Sequence, residues 1–190
     1  IGGVLFAEGL RERPARVVRG DYRQLLIEAE VAFEFCASVE RPLADVAAVK
    51  AAVCRLRPAV ELPDAALADL DVLKADLPRL ARALIPNDML TRDVALGDAV
   101  PAAAVELARL HVKVQHEGAL LGERAPGAAN EAMWEAVRWI VNDFVLARGY
   151  RVAPGQIVIA GSLTGLHPGV PGHYVVDYGE LGRLEFDVVE

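Results

Sequence analysis

Hydrophobic and polar residues alternate over residues 24–36, a pattern typical of a β-strand with one buried face. One face carries six apolar side chains, namely Leu25, Ile27, Ala29, Val31, Phe33 and Phe35. The opposite face carries Glu28, Glu30 and Glu34. We therefore expect the apolar face of this strand to pack into the core of the protein.

The hydrophobic period changes to three and four over residues 43–56, which predicts a helix lying against this strand. A short apolar strand is predicted at residues 59–62, where it is flanked by two prolines. The run Asp76-Leu77-Pro78 resembles an N-cap and first turn, so a second helix is predicted over residues 76–85. Residues 86–88 are predicted to form the turn that ends it.

The second half of the chain contains the longest predicted helix, over residues 130–148, and Gly149 is placed to end it in the left-handed conformation. Strands outnumber helices in this half, and they are predicted at residues 92–97, 105–115, 119–121, 156–160, 172–178 and 183–189. The pattern indicates an α+β fold with a mixed or mostly antiparallel sheet, folded into a β-roll or sandwich with packed helices.

The composition of the chain limits its partners. The 190 residues include 27 acidic and 20 basic residues, for a formal net charge of −7. This balance, without a block of basic residues, argues against nucleic acid or an anionic membrane as a partner and favours cations and small polar solutes. No segment approaches the roughly 20 apolar residues of a membrane span. Cys36 and Cys54 lie in apolar sequence, and we interpret them as buried reduced thiols of a cytoplasmic protein.

Paired glutamates supply the main candidate chemistry. Glu28 and Glu30 point out of one face of their strand with Cα atoms about 6.6 Å apart. In a cleft of low dielectric, two such carboxylates require a shared proton or a cation such as Mg²⁺ or Mn²⁺, and Glu61 is a candidate third ligand. The alternative is that this is simply the solvated face of an amphipathic strand. A glycine-serine loop at residues 161–165 offers hydroxyl and N–H groups that could hold a carboxylate.

Four segments, in this order, resemble a known family. They are I-E-A-E-V-A-F at residues 27–33, A-V-E-L at residues 59–62, the Trp-containing helix that ends at Gly149, and A-P-G-Q-I-V-I-A-G-S at residues 153–162. The chain resembles the branch of the fumarylacetoacetate hydrolase (FAH) superfamily that contains 2-keto-4-pentenoate hydratase and 4-oxalocrotonate decarboxylase. The likeness extends over nearly the whole chain, from about residue 6 to residue 188.

The resemblance implies a mixed β-roll and a Mg²⁺ or Mn²⁺ ion held by Glu28, Glu30 and Glu61. It assigns contacts with the substrate carboxylate to Ser162 and Thr164. The implied activity is that of a metal-dependent hydratase, a hydro-lyase acting on a 2-hydroxy-2,4-dienoate or 2-oxo-4-enoate of aromatic-compound catabolism. The implied partners are a small carboxylic acid and further copies of the chain, with neither nucleic acid nor membrane.

Other activities stay open, namely decarboxylation of a 2-oxo acid such as 4-oxalocrotonate, FAH-type C–C hydrolysis, or a non-catalytic FAH-fold homologue that retains the metal. The hydratases carry a catalytic lysine N-terminal to the first residue of this sequence, and none of Lys50, Lys74 and Lys113 stands in its context. The catalytic acid or base is therefore not assigned. We expect residues 1–190 to form one FAH-like catalytic domain, which in relatives follows an N-terminal helical segment.

Overall fold

A computed structural model of the protein describes residues 2–14, 16–65, 82 and 85–190. The two α-helices in these residues are α1 (Val46–Ala52) and α2 (Ala132–Trp139). The strands in the same part of the chain are β1 (Leu10–Glu12), β2 (Arg16–Val18), β3 (Leu26–Phe35), β4 (Val53–Leu62), β5 (Asp93–Leu96), β6 (Val100–Pro101), β7 (Val112–His116), β8 (Ala119–Arg124), β9 (Ile157–Ala160), β10 (Leu166–Pro168), β11 (Gly172–Asp177) and β12 (Arg183–Val189).

The strands form two sheets. The first has the order β1-β5-β4-β3-β10, with β6 also paired to β4 and β9 also paired to β3. The second has the order β2-β12-β11-β7-β8. Strands β1 and β5 are parallel, as are β2 and β12, whereas the other pairs are antiparallel. The predicted α+β class with mixed sheets is therefore confirmed.

Strand β3 lies at the centre of the first sheet and of the core. It pairs with β4 along one edge and with β9 and β10 along the other. The six apolar side chains predicted on one face are all at most 4% exposed. Phe33 also packs edge-on against Trp134 of α2, with ring centroids 4.9 Å apart. The strand predicted at residues 24–36 is thus confirmed as β3. The alternation of apolar and polar residues over its length identified it.

Helix α1 is shorter than predicted. The period over residues 43–56 predicts one helix, but α1 ends at Ala52 and the chain continues as β4 from Val53. Pairing between distant residues explains the difference, because Phe35 lies opposite Val53 and Phe33 opposite Leu56 on the neighbouring strand. This ladder extends the predicted strand at residues 59–62 to ten residues.

Pro58 lies inside β4, although proline cannot donate a ladder hydrogen bond. Pairing of β4 with β6 ends at Leu56, and pairing with β5 begins at Ala59. The Pro58 carbonyl accepts a hydrogen bond from Gly97 N–H on this edge, so the proline nitrogen faces the gap between β6 and β5. The missing donor therefore costs the sheet little.

The C-terminal helical segment is confirmed, but it is not one regular α-helix. A 3₁₀ turn at Ala128–Glu131 leads into α2, which is followed by a π-helical turn at Ile140–Val145 and a 3₁₀ turn at Leu146–Arg148. Gly149 ends the segment with φ 78°, as predicted. Within the described residues, no helix combines the length and apolar character needed to cross a bilayer.

One other prediction differs from the structure, and one is not tested by it. Residues 105–115 are only partly a strand, because a 3₁₀ turn at Leu107–Arg109 precedes β7. The helix predicted over residues 76–85 falls mainly outside the described residues. The strands predicted at residues 92–97, 119–121, 156–160, 172–178 and 183–189 are confirmed, with small changes in their ends.

The prediction for the cysteines is wrong. Cys36 is exposed and forms a disulfide with Cys54, with Cα atoms 5.7 Å apart. The pairing of Phe35 with Val53 brings the end of β3 beside the start of β4, so the two adjacent cysteines meet. Local apolar sequence suggested burial, whereas the register of two distant strands determines where these side chains lie.

Candidate functional site

Three of the predicted site residues meet on adjacent central strands. Glu28 of β3 lies directly opposite Glu61 of β4, and Glu30 follows two residues along the same strand. Residues two apart in a strand project from the same face, as do residues directly opposite each other. One carboxylate oxygen of each glutamate lies within 4.8 Å of the others. We call these three residues the carboxylate cluster.

The carboxylate cluster is not a solvated strand face. Glu30 is only 6% exposed, and Glu28 and Glu61 are half-buried. Among the described residues, no lysine, arginine or histidine forms an ion pair with any of the three. Carboxylates at this separation and burial repel one another unless they are protonated or share a cation.

The pKa values of all three carboxyl groups are raised. Burial raises the pKa of Glu30 well above its usual range, and the nearby charges of Glu28 and Glu61 raise it further. Burial also raises the pKa of Glu28, against an opposing hydrogen bond with the Ser162 side chain. Burial raises the pKa of Glu61 to about 7, against an opposing hydrogen bond from Thr91. A cation at the cluster would reverse these shifts, since it favours the ionised form.

The glycine-serine loop lies directly over the cluster. The Ser162 N–H donates a hydrogen bond of 2.6 Å to Glu30 Oε1, and the Leu163 N–H donates to the Ala29 carbonyl. A Cβ at Gly161 would lie 3.2 Å from Glu30 Oε2, so the absence of a side chain allows this close approach. Ser162, with φ 48°, is itself exposed. The fold therefore places Ser162 beside Glu30, and its contact with a substrate carboxylate stays a prediction.

Thr164 lies farther along the same loop and has a partner that the sequence did not indicate. Its Oγ1 lies 3.1 Å from Nε2 of His167, on β10. Both side chains pack against Gly122 of β8, where a Cβ would lie 2.8 Å from the His167 ring and 3.1 Å from Thr164 Cβ. Burial lowers the pKa of His167, which favours the neutral ring. The spacing of the histidines in the sequence could not predict this contact, because the partner of His167 is a threonine.

Two further polar residues beside Glu61 were assigned no role from the sequence. Thr91 Oγ1 donates a hydrogen bond of 2.9 Å to Glu61 Oε1. Asp88 contributes negative charge that raises the pKa of Glu61, and its own Oδ1 accepts a hydrogen bond of 2.8 Å from Val4 N–H. The sequence shows an acidic residue at position 88. It does not show that this residue lies near Glu61, because that depends on the pairing of β5 with β4.

A buried network holds the strand that follows Thr91. Asp93 of β5 is 4% exposed and accepts hydrogen bonds from the Tyr22 hydroxyl and from Arg11 Nη2. Arg92 stacks over the Tyr22 ring, 4.4 Å from its centroid. These contacts anchor the start of β5 and so help to position Thr91 against Glu61.

The described lysines lie apart from the carboxylate cluster. Lys50 pairs with Glu131 at 3.3 Å and lies over the Trp134 ring, on the side of the first sheet covered by α2. Lys113 belongs to β7 of the second sheet. Lys74 lies outside the described residues. Neither described lysine forms an ion pair with a glutamate of the cluster, so no general acid or base is assigned from this set.

No protein-family model matches the sequence, and a comparison with curated proteins finds no match. Solved structures do match. The 4-oxalocrotonate decarboxylase from Pseudomonas putida G7, complexed with calcium and acetate, is 20% identical with a TM-score of 0.79, over 98% of this chain and 68% of that chain. The same enzyme complexed with magnesium and adipate is 19% identical with a TM-score of 0.80, over 98% and 69%.

A further similar structure extends the comparison to another activity. The 2-hydroxyhepta-2,4-diene-1,7-dioate isomerase from Mycobacterium marinum is 15% identical with a TM-score of 0.66, over 95% of this chain and 64% of that chain. At these identities the likeness concerns the fold, which agrees with the resemblance found in the sequence motifs. The chain therefore has the fold of the fumarylacetoacetate hydrolase superfamily.

Proposed function

We propose that this protein is a divalent-metal-dependent hydro-lyase that hydrates a 2-hydroxy-2,4-dienoate. The observation that carries the proposal is the carboxylate cluster, whose three buried or half-buried acids lie within 4.8 Å of one another beneath a hydroxyl-bearing loop. The similar decarboxylase structures hold calcium with acetate and magnesium with adipate. A divalent ion together with a small carboxylate is thus compatible with this fold.

The donor set fits Mg²⁺ or Mn²⁺. Both ions are hard cations that prefer oxygen ligands, and magnesium typically takes a few carboxylates and keeps its other positions for water or substrate. Glu28, Glu30 and Glu61 would hold the ion, and Thr91 would orient Glu61 through its hydrogen bond. The ion would supply positive charge to the oxygens of a 2-oxo acid and to the negative charge that develops during enolisation.

The loop residues would hold the substrate at its carboxylate end. The Ser162 N–H donates to Glu30, so this hydroxyl-bearing residue lies at the edge of the cluster. The Thr164 hydroxyl is oriented by His167. In the proposed reaction, the proton of the 2-hydroxyl is exchanged for one on C3, and water adds across the remaining double bond with its hydroxyl on C4 and its hydrogen on C5. Fixed donors at the carboxylate would align C3 with the groups that transfer the proton.

Decarboxylation is the second candidate. It is favoured by the similarity to 4-oxalocrotonate decarboxylase, at TM-scores of 0.79 and 0.80. Both reactions draw electrons toward the 2-oxo group, so the carboxylate cluster serves either one. Metal binding without catalysis is a further outcome that the same experiment separates.

The test incubates the protein and Mg²⁺ with 2-hydroxypenta-2,4-dienoate and, separately, with 2-oxohex-3-enedioate, following absorbance and CO₂ together. Loss of dienol absorbance without CO₂ is the expected result and indicates hydration. Release of CO₂ from 2-oxohex-3-enedioate would show that the activity is decarboxylation and not the proposed hydration. Magnesium binding without turnover of either compound would contradict the proposed enzyme. The Glu30→Gln variant is the matched control, because it keeps the shape of the side chain but removes the charge that would bind the ion.

A further inference from the structure

Residues 3–5 lie on the sheet face that carries the carboxylate cluster, and we call them the strap. The half-buried Leu5 of the strap packs against the small apolar group formed by Ala32, Ala59, Val94 and Leu96. Ala32 and Ala59 each lie two residues from a glutamate of the cluster on the same strand. Because residues two apart in a strand project from the same face, the strap and the three glutamates share one face of the first sheet.

The strap lies against a left-handed turn at residues 88–90. Asp88, Met89 and Leu90 have φ values of 47°, 60° and 68°, a region that residues with a side chain rarely adopt. The Thr91 N–H donates a hydrogen bond of 3.1 Å to the Asp88 carbonyl and closes the turn. Such a conformation persists where the surrounding structure holds it, so the contacts of this turn determine where Thr91 lies.

Two contacts join the strap to this turn. The Val4 N–H donates a hydrogen bond of 2.8 Å to Asp88 Oδ1. Gly3 approaches the turn so closely that a Cβ would lie 2.6 Å from the Asp88 carbonyl oxygen and 3.0 Å from Thr91 Oγ1. Real Cβ atoms essentially never come within 3.0 Å of another heavy atom, so a side chain at residue 3 would displace the turn or the strap.

The Thr91 hydroxyl connects the strap to the carboxylate cluster. The same Oγ1 that lies beside Gly3 donates a hydrogen bond of 2.9 Å to Glu61 Oε1. A displaced turn would move this hydroxyl relative to Glu61. Conversely, an ion that fixes Glu61 would also fix Thr91, and with it the surface on which the strap lies.

We propose that Gly3 is a positioning residue for the metal site, and that docking of the strap on the left-handed turn and binding of a divalent ion stabilise each other. This inference rests on the proposed function, because it uses the ion held by the carboxylate cluster. Gly3 acts through Thr91, since its lack of a side chain lets the turn hold the hydroxyl against Glu61. The coupling is reciprocal, because whatever free energy the docked strap adds to ion binding, the bound ion adds to docking of the strap.

The first experiment is a calorimetric titration of Mg²⁺ into variants of the protein. Gly3→Ala should weaken magnesium binding by at least about fivefold, the lower end of typical coupling between two sites. Gly20→Ala is the matched control and should keep the wild-type affinity, since a Cβ there has no neighbour within 4 Å. In a protein that already carries Thr91→Val, Gly3→Ala should have little further effect, because the hydroxyl through which Gly3 acts is gone.

The second experiment measures hydrogen exchange of the Val4 amide with EDTA and with saturating Mg²⁺. The ion should slow this exchange at least about fivefold in the wild type and leave it nearly unchanged in Thr91→Val. The Ala48 amide is the internal control, because it also donates to an aspartate oxygen, that of Asp45 at 2.9 Å, at the start of α1. Its exchange should not respond to the ion.

The outcomes separate this inference from the function on which it rests. If the wild type binds no Mg²⁺, the metal site of the proposed function is wrong and the inference is lost with it. If Mg²⁺ binds but Gly3→Ala has the wild-type affinity, or its loss adds fully to that of Thr91→Val, Gly3 does not act through Thr91 while the proposed function stands. Should Gly3→Ala fail to fold, the wild-type exchange decides the question, because equal Val4 rates with and without Mg²⁺ would contradict the coupling.

Discussion

The backbone N–H of Ser162 donates a hydrogen bond of 2.6 Å to Oε1 of Glu30, a residue 132 positions earlier in the chain. This contact joins the loop after β9 to the middle of β3, and it places a hydroxyl-bearing residue at the carboxylate cluster. It also leaves Oε2 of Glu30, beside Gly161, free of this bond. Glu30 thus holds the loop through one carboxylate oxygen while belonging to the carboxylate cluster.

Replacing Glu30 tests the metal site directly. We expect Glu30→Gln to weaken Mg²⁺ binding at least about tenfold, because the neutral amide removes one of three ligand charges. Isothermal titration of the metal is the measurement. The matched control is Glu34→Gln on the same strand, where the carboxylate pairs with Arg55 at 3.0 Å and should not affect the ion. Equal magnesium affinity in the Glu30 variant and the wild type would exclude the three-carboxylate site.

Thr91 is expected to act on the metal through Glu61. Replacing it with valine removes the 2.9 Å hydrogen bond to Glu61 Oε1 while keeping the shape of the side chain. Loss of such an orienting contact typically weakens metal binding by about 10- to 100-fold, and Thr91→Ser should restore most of the affinity. Metal titration of both variants checks this. A valine variant that binds as tightly as the serine variant would show that the hydroxyl has no orienting role.

The stability of the protein should depend on pH in opposite ways with and without a divalent ion. Burial raises the folded-state pKa of Glu61 from 4.5 to about 7, so folding takes up a proton that the unfolded chain has released. In EDTA, the free energy of unfolding should therefore be highest near pH 5 and should fall as the pH rises through about 7. Glu30 and Glu28 shift in the same direction and add to the effect.

Magnesium should oppose this loss, because it binds the ionised carboxylates of the folded protein. Thermal unfolding at pH 5.5 and pH 8, with EDTA or with Mg²⁺, measures both effects. The Glu61→Gln variant should show a flatter pH dependence in EDTA than the wild type. A metal-free protein that is more stable at pH 8 than at pH 5.5 would contradict the raised pKa values.

The disulfide between Cys36 and Cys54 is expected to stabilise the junction of β3, α1 and β4. It closes a loop with a sequence separation of 18 residues, and a loop of this size contributes about 3 kcal/mol by restricting the unfolded chain. Denaturant unfolding with and without reductant should show this loss. The double variant Cys36→Ser with Cys54→Ser should resemble the reduced protein and should not respond to reductant. Equal stability of the oxidised and reduced wild type would show that the bond contributes nothing.

Much of the architecture was predictable because its pattern is local. The alternation along β3 identified the strand and the face that is buried, and Gly149 marked the end of the C-terminal helical segment. The boundary between α1 and β4 was not predictable in this way, since the register of Val53 against Phe35 overrides the helical period of the local sequence. The disulfide was missed for the same reason, because it depends on where two distant strand ends meet.

The sequence by itself determined which residues could supply the chemistry, since a Glu-x-Glu spacing on a strand places two carboxylates on one face. Only the tertiary structure decided that this face is buried, that Glu61 lies opposite Glu28, and that the loop of Ser162 closes over Glu30. It alone brought Thr91 to Glu61. The physical reason is that spacing along a strand is set by local backbone geometry, whereas burial and the meeting of distant residues depend on strand register across the whole fold.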